Sequence, residues 1–213
     1  MNQSETYPMF PLGLVLFPGE ILNLHIFEPR YKALINECDR NKDTLFGIPP
    51  YFVDKQMTHG SLVKLNEIVN RYPDGRMDVV VEALGLFEIE DFFMKLEDKP
   101  YPGASVCPTE IDQSSDLLIN IQIVDKLNQL YTLMNIKNVK VSQPEEFKTY
   151  QVVHKVGYTL DQELELLTFT QEIEKAIYML NHLEILVEQA ARMEEIRKRA
   201  ELNGHFQHID SIL

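Results

Sequence analysis

A chain of 213 residues with 45% hydrophobic content can bury one large core or two small ones. Its net charge of −13 is spread evenly, with 17 acids and 10 bases in residues 1–110 and 16 and 10 in residues 111–213. So negative a surface repels phosphate backbones, and the densest basic cluster, Arg197-Lys198-Arg199, is short and sits among Glu194, Glu195 and Glu201. Nucleic acid is therefore not an expected partner. Two cysteines, Cys38 and Cys107, are too few for a disulfide framework and read as buried or half-buried thiols. There is no cationic amino terminus followed by an apolar core, and no apolar run of the roughly 20 residues that cross a bilayer. The expected setting is the cytoplasm, away from membranes.

Residues 1–7 are polar and are expected to fray. The stretch Met9–Tyr31 is the most apolar and most punctuated part of the chain. An apolar run, Leu12 to Phe17, ends at Pro18-Gly19 and predicts a strand buried on both faces. Ile21 to Phe27 predicts a second strand with one wetter face, carrying Asn23 and a hydrogen-bonded, half-buried His25. Pro29 suits the first turn of a helix, and Tyr31, Leu34, Ile35 and Cys38 recur at helical spacing up to Arg40. Thr44 to Pro49 predicts a short strand, in which Gly47 marks close backbone approach or a bulge. Tyr51 to Gly60 is a loop.

Ser61 to Tyr72 predicts a strand with Val63, Leu65 and Val69 inward. Pro73-Asp74-Gly75 is a turn, because proline presets φ and glycine accepts a positive one. Met77 to Ala83 and Gly85 to Met94 predict two further strands. Tyr101-Pro102-Gly103 turns into a last one, Ala104 to Ile111. Short, turn-punctuated strands of this kind imply a barrel or two packed sheets.

The order of motifs resembles the Lon substrate-binding domain, the amino-terminal domain of Lon proteases. The matching features are Pro11-Leu12, Leu14-Val15-Leu16-Phe17, Phe17-Pro18-Gly19, the strand Leu22 to Phe27, Phe27-Glu28-Pro29-Arg30-Tyr31, Gly60 to Val69, Pro73-Asp74-Gly75 and Val79-Val80-Val81. A family Gly-x-x-Arg-Phe element is altered. Ala83 stands where its glycine would be, and Leu86 replaces the arginine before Phe87. The resemblance implies an α+β fold: a PUA-like pseudobarrel with one helix, followed by a helical bundle ending in a long helix.

After Ile111 the polar link Asp112-Gln113-Ser114-Ser115-Asp116 marks a change to helical pattern, which divides the chain into a strand lobe, 1–111, and a helical bundle, 112–213. Leu117 to Met134 predicts a helix with Leu117, Ile121, Val124, Leu127 and Tyr131 on its stripe. Ser142 and Glu145 fit a capping box for a helix over Gln143–Val156, and Thr159 and Gln162 fit another. A long helix, about Phe169 to Leu202, should bury Ile173, Ile177, Leu180, Leu183, Val187 and Ala190 and stop at Asn203-Gly204. Its charged end beyond Ala191 offers a surface for self-association.

Catalytic motifs are not found. No phosphate loop of the Gly-x4-Gly-Lys-Ser/Thr type is present. The chain also ends before an ATPase or serine–lysine peptidase domain like those of complete Lon proteases could begin. Ser61 and Lys64 sit at odd separation on a strand, so they point to opposite faces, and read as an exposed serine and a solvated lysine. Glu88, Glu90 and Asp91 read as a solvated strand edge. His205 and His208 supply two metal ligands where a closed shell needs four. No catalytic residue, metal or cofactor is expected. Tyr51, Phe52 and Met57 on the loop, and one of the adjacent pair Phe92 and Phe93, are candidate contacts for an apolar partner, since exposed apolar patches often mark binding surfaces and methionine accepts varied shapes. The expected function is non-covalent recognition of unfolded or flexible protein segments, with an RNA-binding PUA-like protein or an accessory subunit of a separate protease as the alternatives.

Overall fold

The computed structural model describes residues 4–112, 114–137 and 139–207, apart from the side chains of 202–207. Gln113 of the polar link, His208 and the His205 side chain thus lie outside the described residues. The chain divides into two compact units, Met1–Ile111 with Val153–Thr170, and Asp112–Val152 with Gln171–Leu213. Residues 153–170, counted in the sequence with the helical half, group with the strands.

The first unit is a six-stranded antiparallel sheet ordered β1-β6-β5-β4-β3, with β2 paired to β5. Its strands are β1 (Glu5–Pro8), β2 (Ile21–Ile26), β3 (Leu45–Ile48), β4 (His59–Arg71), β5 (Met77–Phe93) and β6 (Gly103–Thr109). Parallel bridges from Met9 to Gly47 and from Leu12 to Pro50 join the chain after β1 to β3, which gives the expected pseudobarrel. Helix α1 (Pro29–Arg40) lies where its spacing placed it, with Tyr31, Leu34, Ile35 and Cys38 all buried. They pack with Phe46, Val63, Leu65, Val79 and Val81 in one core cluster. Each such side chain contributes about 1.5–3 kcal/mol on full burial.

Several expectations for this unit change. Glu5–Pro8 is not frayed but pairs with β6. Leu12–Phe17 is not a strand. Val15, Leu16 and Phe17 are buried, but their polar backbone atoms find side chains: Phe17 N–H donates to Glu20 Oε2 at 2.8 Å, and Ser61 Oγ donates to the Leu16 carbonyl. A buried backbone group needs a partner, and a ladder is only one way to supply it. Ser61 is accordingly buried, not exposed.

Met77–Ala83 and Gly85–Met94 form one strand, β5, rather than two. Leu84 is an extra residue opposite β4 and Glu90 an extra residue opposite β6, so two bulges bend β5 without ending it. Bulges at Asn66 and Val69 in β4 shift its alternation, which turns Val69 outward while Val63 and Leu65 stay in the core. The Pro73-Asp74-Gly75 turn joins β4 to β5, and Gly75 has φ of +80°. Gly47 and Gly60 allow the Phe87 ring to lie against two backbones: an added Cβ would fall 2.7 Å and 2.6 Å from Phe87 Cζ.

Residues 153–170 carry a 3-10 turn, Val153–Lys155, and helix α3 (Leu160–Leu166). The capping box expected from Thr159 and Gln162 is present. His154 holds this segment to the Pro18-Gly19 turn. Its Nδ1 lies 2.8 Å from Glu163 Oε1, its Nε2 lies 3.3 Å from Glu20, and its ring packs on Phe17 with centroids 5.5 Å apart. The hydrogen bond to Glu20, above all, pushes the imidazole pKa up to about 9, against the opposing effect of burial.

In the second unit, helix α2 (Leu117–Leu133) packs on α4 (Glu172–Gln207). Asp116 caps α2 by accepting from the Leu118 and Ile119 N–H groups. The buried face of α2 is Asn120, Ile123, Leu127, Leu130 and Tyr131, whereas Leu117 and Ile121 are exposed. The expected helix over Gln143–Val156 is absent. The chain there forms turns, with one 3-10 turn at Thr149–Gln151 in this unit. Ser142 bonds Gln151 Oε1 instead of capping. Asn120 Nδ2 donates to the Pro144 and Phe147 carbonyls, and Glu172 accepts from the Thr149 N–H at 2.7 Å. These bonds take backbone groups that a helix would have used.

Helix α4 buries Glu172, Lys175, Ala176, Met179 and Leu183 and leaves Ile177 exposed, so its inward face differs from the apolar stripe. Lys175 is 0% exposed. Its Nζ lies 3.2 Å from Glu172 Oε2, 3.1 Å from Tyr150 Oη and 4.3 Å from the Tyr150 ring centroid. Beyond Ala191 the charges pair along the helix, as in Arg192–Glu188 and Arg199–Glu195. The helix continues through Asn203-Gly204 to Gln207.

Two outcomes follow for the first unit. Gly47→Ala should cost about 1–3 kcal/mol by overpacking, read as a lower urea midpoint at unchanged m-value. His154 has its pKa raised by folding from 6.5 to about 9, so its ion pairs stabilise fully below the lower value and are lost as pH rises through the upper one. The urea midpoint of His154→Ala should therefore differ most from wild type below pH 6.5 and least above pH 9. A difference independent of pH would mean that only the ring's packing on Phe17 matters.

Candidate functional site

The loop between β3 and β4 is pinned at both ends. Tyr51 N–H donates to the Leu12 carbonyl at 2.8 Å, and Ile89 N–H to the Thr58 carbonyl at 2.8 Å. Within it, Lys55 N–H closes a turn on Phe52 O at 3.1 Å, and the Lys55 ammonium pairs with Asp161 of α3. Fixed this way, the loop holds Val53 at 90% exposure and Tyr51 at 54%. Phe52 and Met57 are half-buried. Met57 lines a crevice of about 100 Å³ with Pro50, Lys55, His59, Leu164 and Leu167. Burial lowers the His59 pKa, so the crevice favours a neutral imidazole.

Phe92 and Phe93 are not brought to this loop by any described contact. The loop enters β4 at His59, opposite Glu88, while Phe92 lies four residues on, about 13 Å along the strand. Phe92 packs against the small cluster of Met9, Phe87, Ala104 and Val106, and Phe93 is half-buried opposite Gly103. Val53 was not singled out from the sequence, because a lone β-branched residue between Phe52 and Asp54 carries no periodicity.

Two further exposed apolar side chains were also passed over, Ile21 at 65% and Phe27 at 60%. Their signal was available: they share the parity of Asn23 and His25, and a period of two puts all four on the wetter face. On that face His25 Nδ1 lies 2.6 Å from Asp78, which also accepts from Tyr72 Oη and Asn70 Nδ2. The Tyr72 and His25 bonds hold the Asp78 carboxyl down to about 2. His25 is exposed, not half-buried.

A second, polar hollow of about 490 Å³ lies between α1 and the turn before β6, where Glu37 accepts from Lys99 at 2.7 Å and from Tyr101 Oη at 2.7 Å. These bonds lower the Glu37 pKa. Of the hollow's other charges, Asp39 pairs with Lys42 and Arg71, and Arg40 donates to the Asn36 carbonyl.

The two thiols and the Ser61–Lys64 pair are poorly placed to attack a substrate. Burial pushes the Cys38 thiol up to about 11, and its hydrogen bond to Glu90 raises Cys107. Ser61 is buried and its hydroxyl donates to a carbonyl, while Lys64 is exposed. Glu88 ends the ladder with β4, and Glu90 and Asp91 lie beyond it, exposed on a stretch of β5 paired with β6 alone. Glu90 accepts from Ser105 and Cys107. Among the described residues there is no group of three metal-ligating side chains, and no helix is long and apolar enough to cross a membrane.

Two solved structures have the same fold. The Lon N-terminal domain protein from Xanthomonas campestris aligns with a TM-score of 0.62 at 18% identity, covering 83% of this chain and 98% of that one. The N-terminal domain of Mycobacterium avium complex Lon protease aligns with a TM-score of 0.61 at 14% identity, covering 84% and 98%. No curated protein matches the chain. The family model of the ATP-dependent protease La (LON) substrate-binding domain, a non-catalytic module, matches residues 6–192. The chain therefore belongs to the Lon substrate-binding domain family.

Proposed function

We propose that this protein binds unfolded or flexible protein segments non-covalently, through the apolar loop 51–58, and breaks no bond itself. The observation that carries the reading is the pairing of opposites in that loop. Its backbone is fixed at both ends and its lysine is paired, yet it holds Tyr51 and Val53 in water. Order in an exposed apolar loop lowers the entropy lost on binding, so affinity gains without new contacts. Phe52 and Met57, with the crevice beside them, extend the same surface. Phe93 forms a separate, smaller contact on β5.

The reading accommodates action beside a separate protease, to which a recognition module would bring substrate. Two free cysteines suit the cytoplasm. An RNA partner is disfavoured by the net charge of −13.

The test is binding of reduced, carboxamidomethylated lysozyme, a basic chain that cannot refold, followed by calorimetry. Wild type should bind it. The double variant Tyr51→Ser, Val53→Ser should bind about tenfold more weakly or worse, because each side chain contributes about 1.5–3 kcal/mol when buried and 1.4 kcal/mol is a factor of ten. Its melting temperature should not fall, since both side chains are exposed. Absence of binding by wild type, or equal binding by the variant, overturns the proposal.

A further inference from the structure

Strand β2 pairs with β5 along one side only. The bond from Ala83 N–H to the Glu20 carbonyl, 2.9 Å, sets the parity of that ladder. In an antiparallel pair, hydrogen-bonded positions alternate. With Ile21 opposite Glu82 and Ile26 opposite Met77, Leu22, Leu24 and Ile26 face β5. The N–H and C=O groups of Ile21, Asn23 and His25 therefore point away from the sheet. Among the described residues none of these groups has a hydrogen-bond partner. The side chains of the same three residues, and of Phe27, are exposed.

Natural edge strands are blunted by lysine, proline or a bulge. Between Ile21 and Ile26 β2 has none of the three; the one bulge, Gly19-Glu20 opposite Ala83, lies at its entry. No lysine or arginine occurs anywhere before Arg30. The carboxylates nearby are Glu20 before the strand, Glu28 after it, and Asp78 and Glu82 across it on β5. Glu20 already holds His154, Glu28 holds Arg30 and Asp78 is bonded to His25 and Tyr72, whereas Glu82, bonded to Asn66, has no cationic partner among the described residues.

We infer that the open edge of β2 receives an extended, cationic polypeptide segment as an added strand, its backbone pairing with Ile21, Asn23 and His25. Strand addition takes affinity from main-chain hydrogen bonds, which suits a partner of no fixed sequence, and selects through alternate side chains. Here the alternate positions meet Ile21 and Phe27, and a basic side chain reaches Glu82, which lies opposite Ile21. The inference rests on the reading that the protein binds polypeptide, and assigns it a second contact, chemically unlike the loop 51–58.

The probe is a synthetic octapeptide alternating lysine with valine or phenylalanine, added to the 15N-labelled full chain. Amide hydrogen exchange should slow at Ile21, Asn23 and His25 and stay unchanged at Leu22 and Leu24, which already bond to β5. Two isomers of the peptide, N-methylated at odd or at even amides, separate backbone pairing from charge attraction. One should bind about tenfold more weakly than the parent and the other like it, since one register alone faces β2. Asn23→Pro should show the same loss, and Asn23→Ala none. Should Asn23→Pro not fold, the methylated pair decides.

Equal binding by the two isomers, or a bound peptide with unchanged exchange at the three amides, overturns the edge. If those amides are unchanged while Tyr51→Ser, Val53→Ser loses lysozyme binding, the loop stands and the edge fails. If the amides are protected while that variant binds normally, the edge stands and the loop fails. No binding of either probe removes both.

Discussion

β5 exchanges backbone hydrogen bonds with β4 along one side and with β2, then β6, along the other. β2 and β6 occupy successive stretches of that second side. The bulges at Leu84 and Glu90 bend the strand between and within those stretches. That bend brings Phe87 beneath Gly47 and Gly60, where a side chain at either glycine would meet the ring. It also leaves β2 with a single neighbour. The core, the close approach of β3 to β4, and the unpaired edge thus follow from how one 17-residue strand is shared.

What could be read from the residues was whatever local chemistry decides. Pro29 followed by apolar residues at steps of three and four specifies α1, and Pro73-Asp74-Gly75 specifies a turn whose glycine has positive φ. What could not be read was decided by partners distant in sequence. Glu5–Pro8 is strand because β6 offers an edge, though nothing in Glu-Thr-Tyr-Pro announces it. Leu12–Phe17 carries strand-like composition but pairs its backbone with the end of β3 only at Leu12, while Leu16 and Phe17 bond the side chains of Ser61 and Glu20. The face of α4 was misread because Lys175 sits on it, and a lysine is almost never fully buried without a partner. At the loop, exposure of Tyr51 was legible from position alone, whereas the inward turn of Phe92 depends on Met9 and Val106, which only the folded sheet brings near.

The two most unusual charges stabilise their units by different balances. Lys175 has left water entirely. Burial lowers its pKa against the pull of Glu172, and removing either partner would strand the other in the core. His154 is partly solvated and gains more from its two carboxylates than it loses to burial, so its proton is held more tightly in the fold. The first arrangement fixes which face of α4 is inward. The second fastens residues 153–170 to the Pro18-Gly19 turn, and its strength varies with pH. α3 supplies Asp161 to Lys55 and Leu164 to the crevice, which Leu167 just after it also lines, so the segment that His154 fastens is the one that flanks the loop.

On the reading proposed above, acidity and apolarity on this surface would act on the same class of partner from different distances. A net charge of −13 attracts basic chains over roughly a Debye length, about 8–10 Å at ordinary salt, but carries no directional preference. Tyr51 and Val53 act only on contact and discriminate by how much apolar surface a segment can offer. A folded basic protein would satisfy the first condition and fail the second, because its apolar side chains are already buried. An unfolded one satisfies both. Selection for the unfolded state then needs no recognition of sequence, and it needs no nucleophile, which agrees with thiols raised by Glu90 or by burial and with a serine whose hydroxyl is committed to the Leu16 carbonyl.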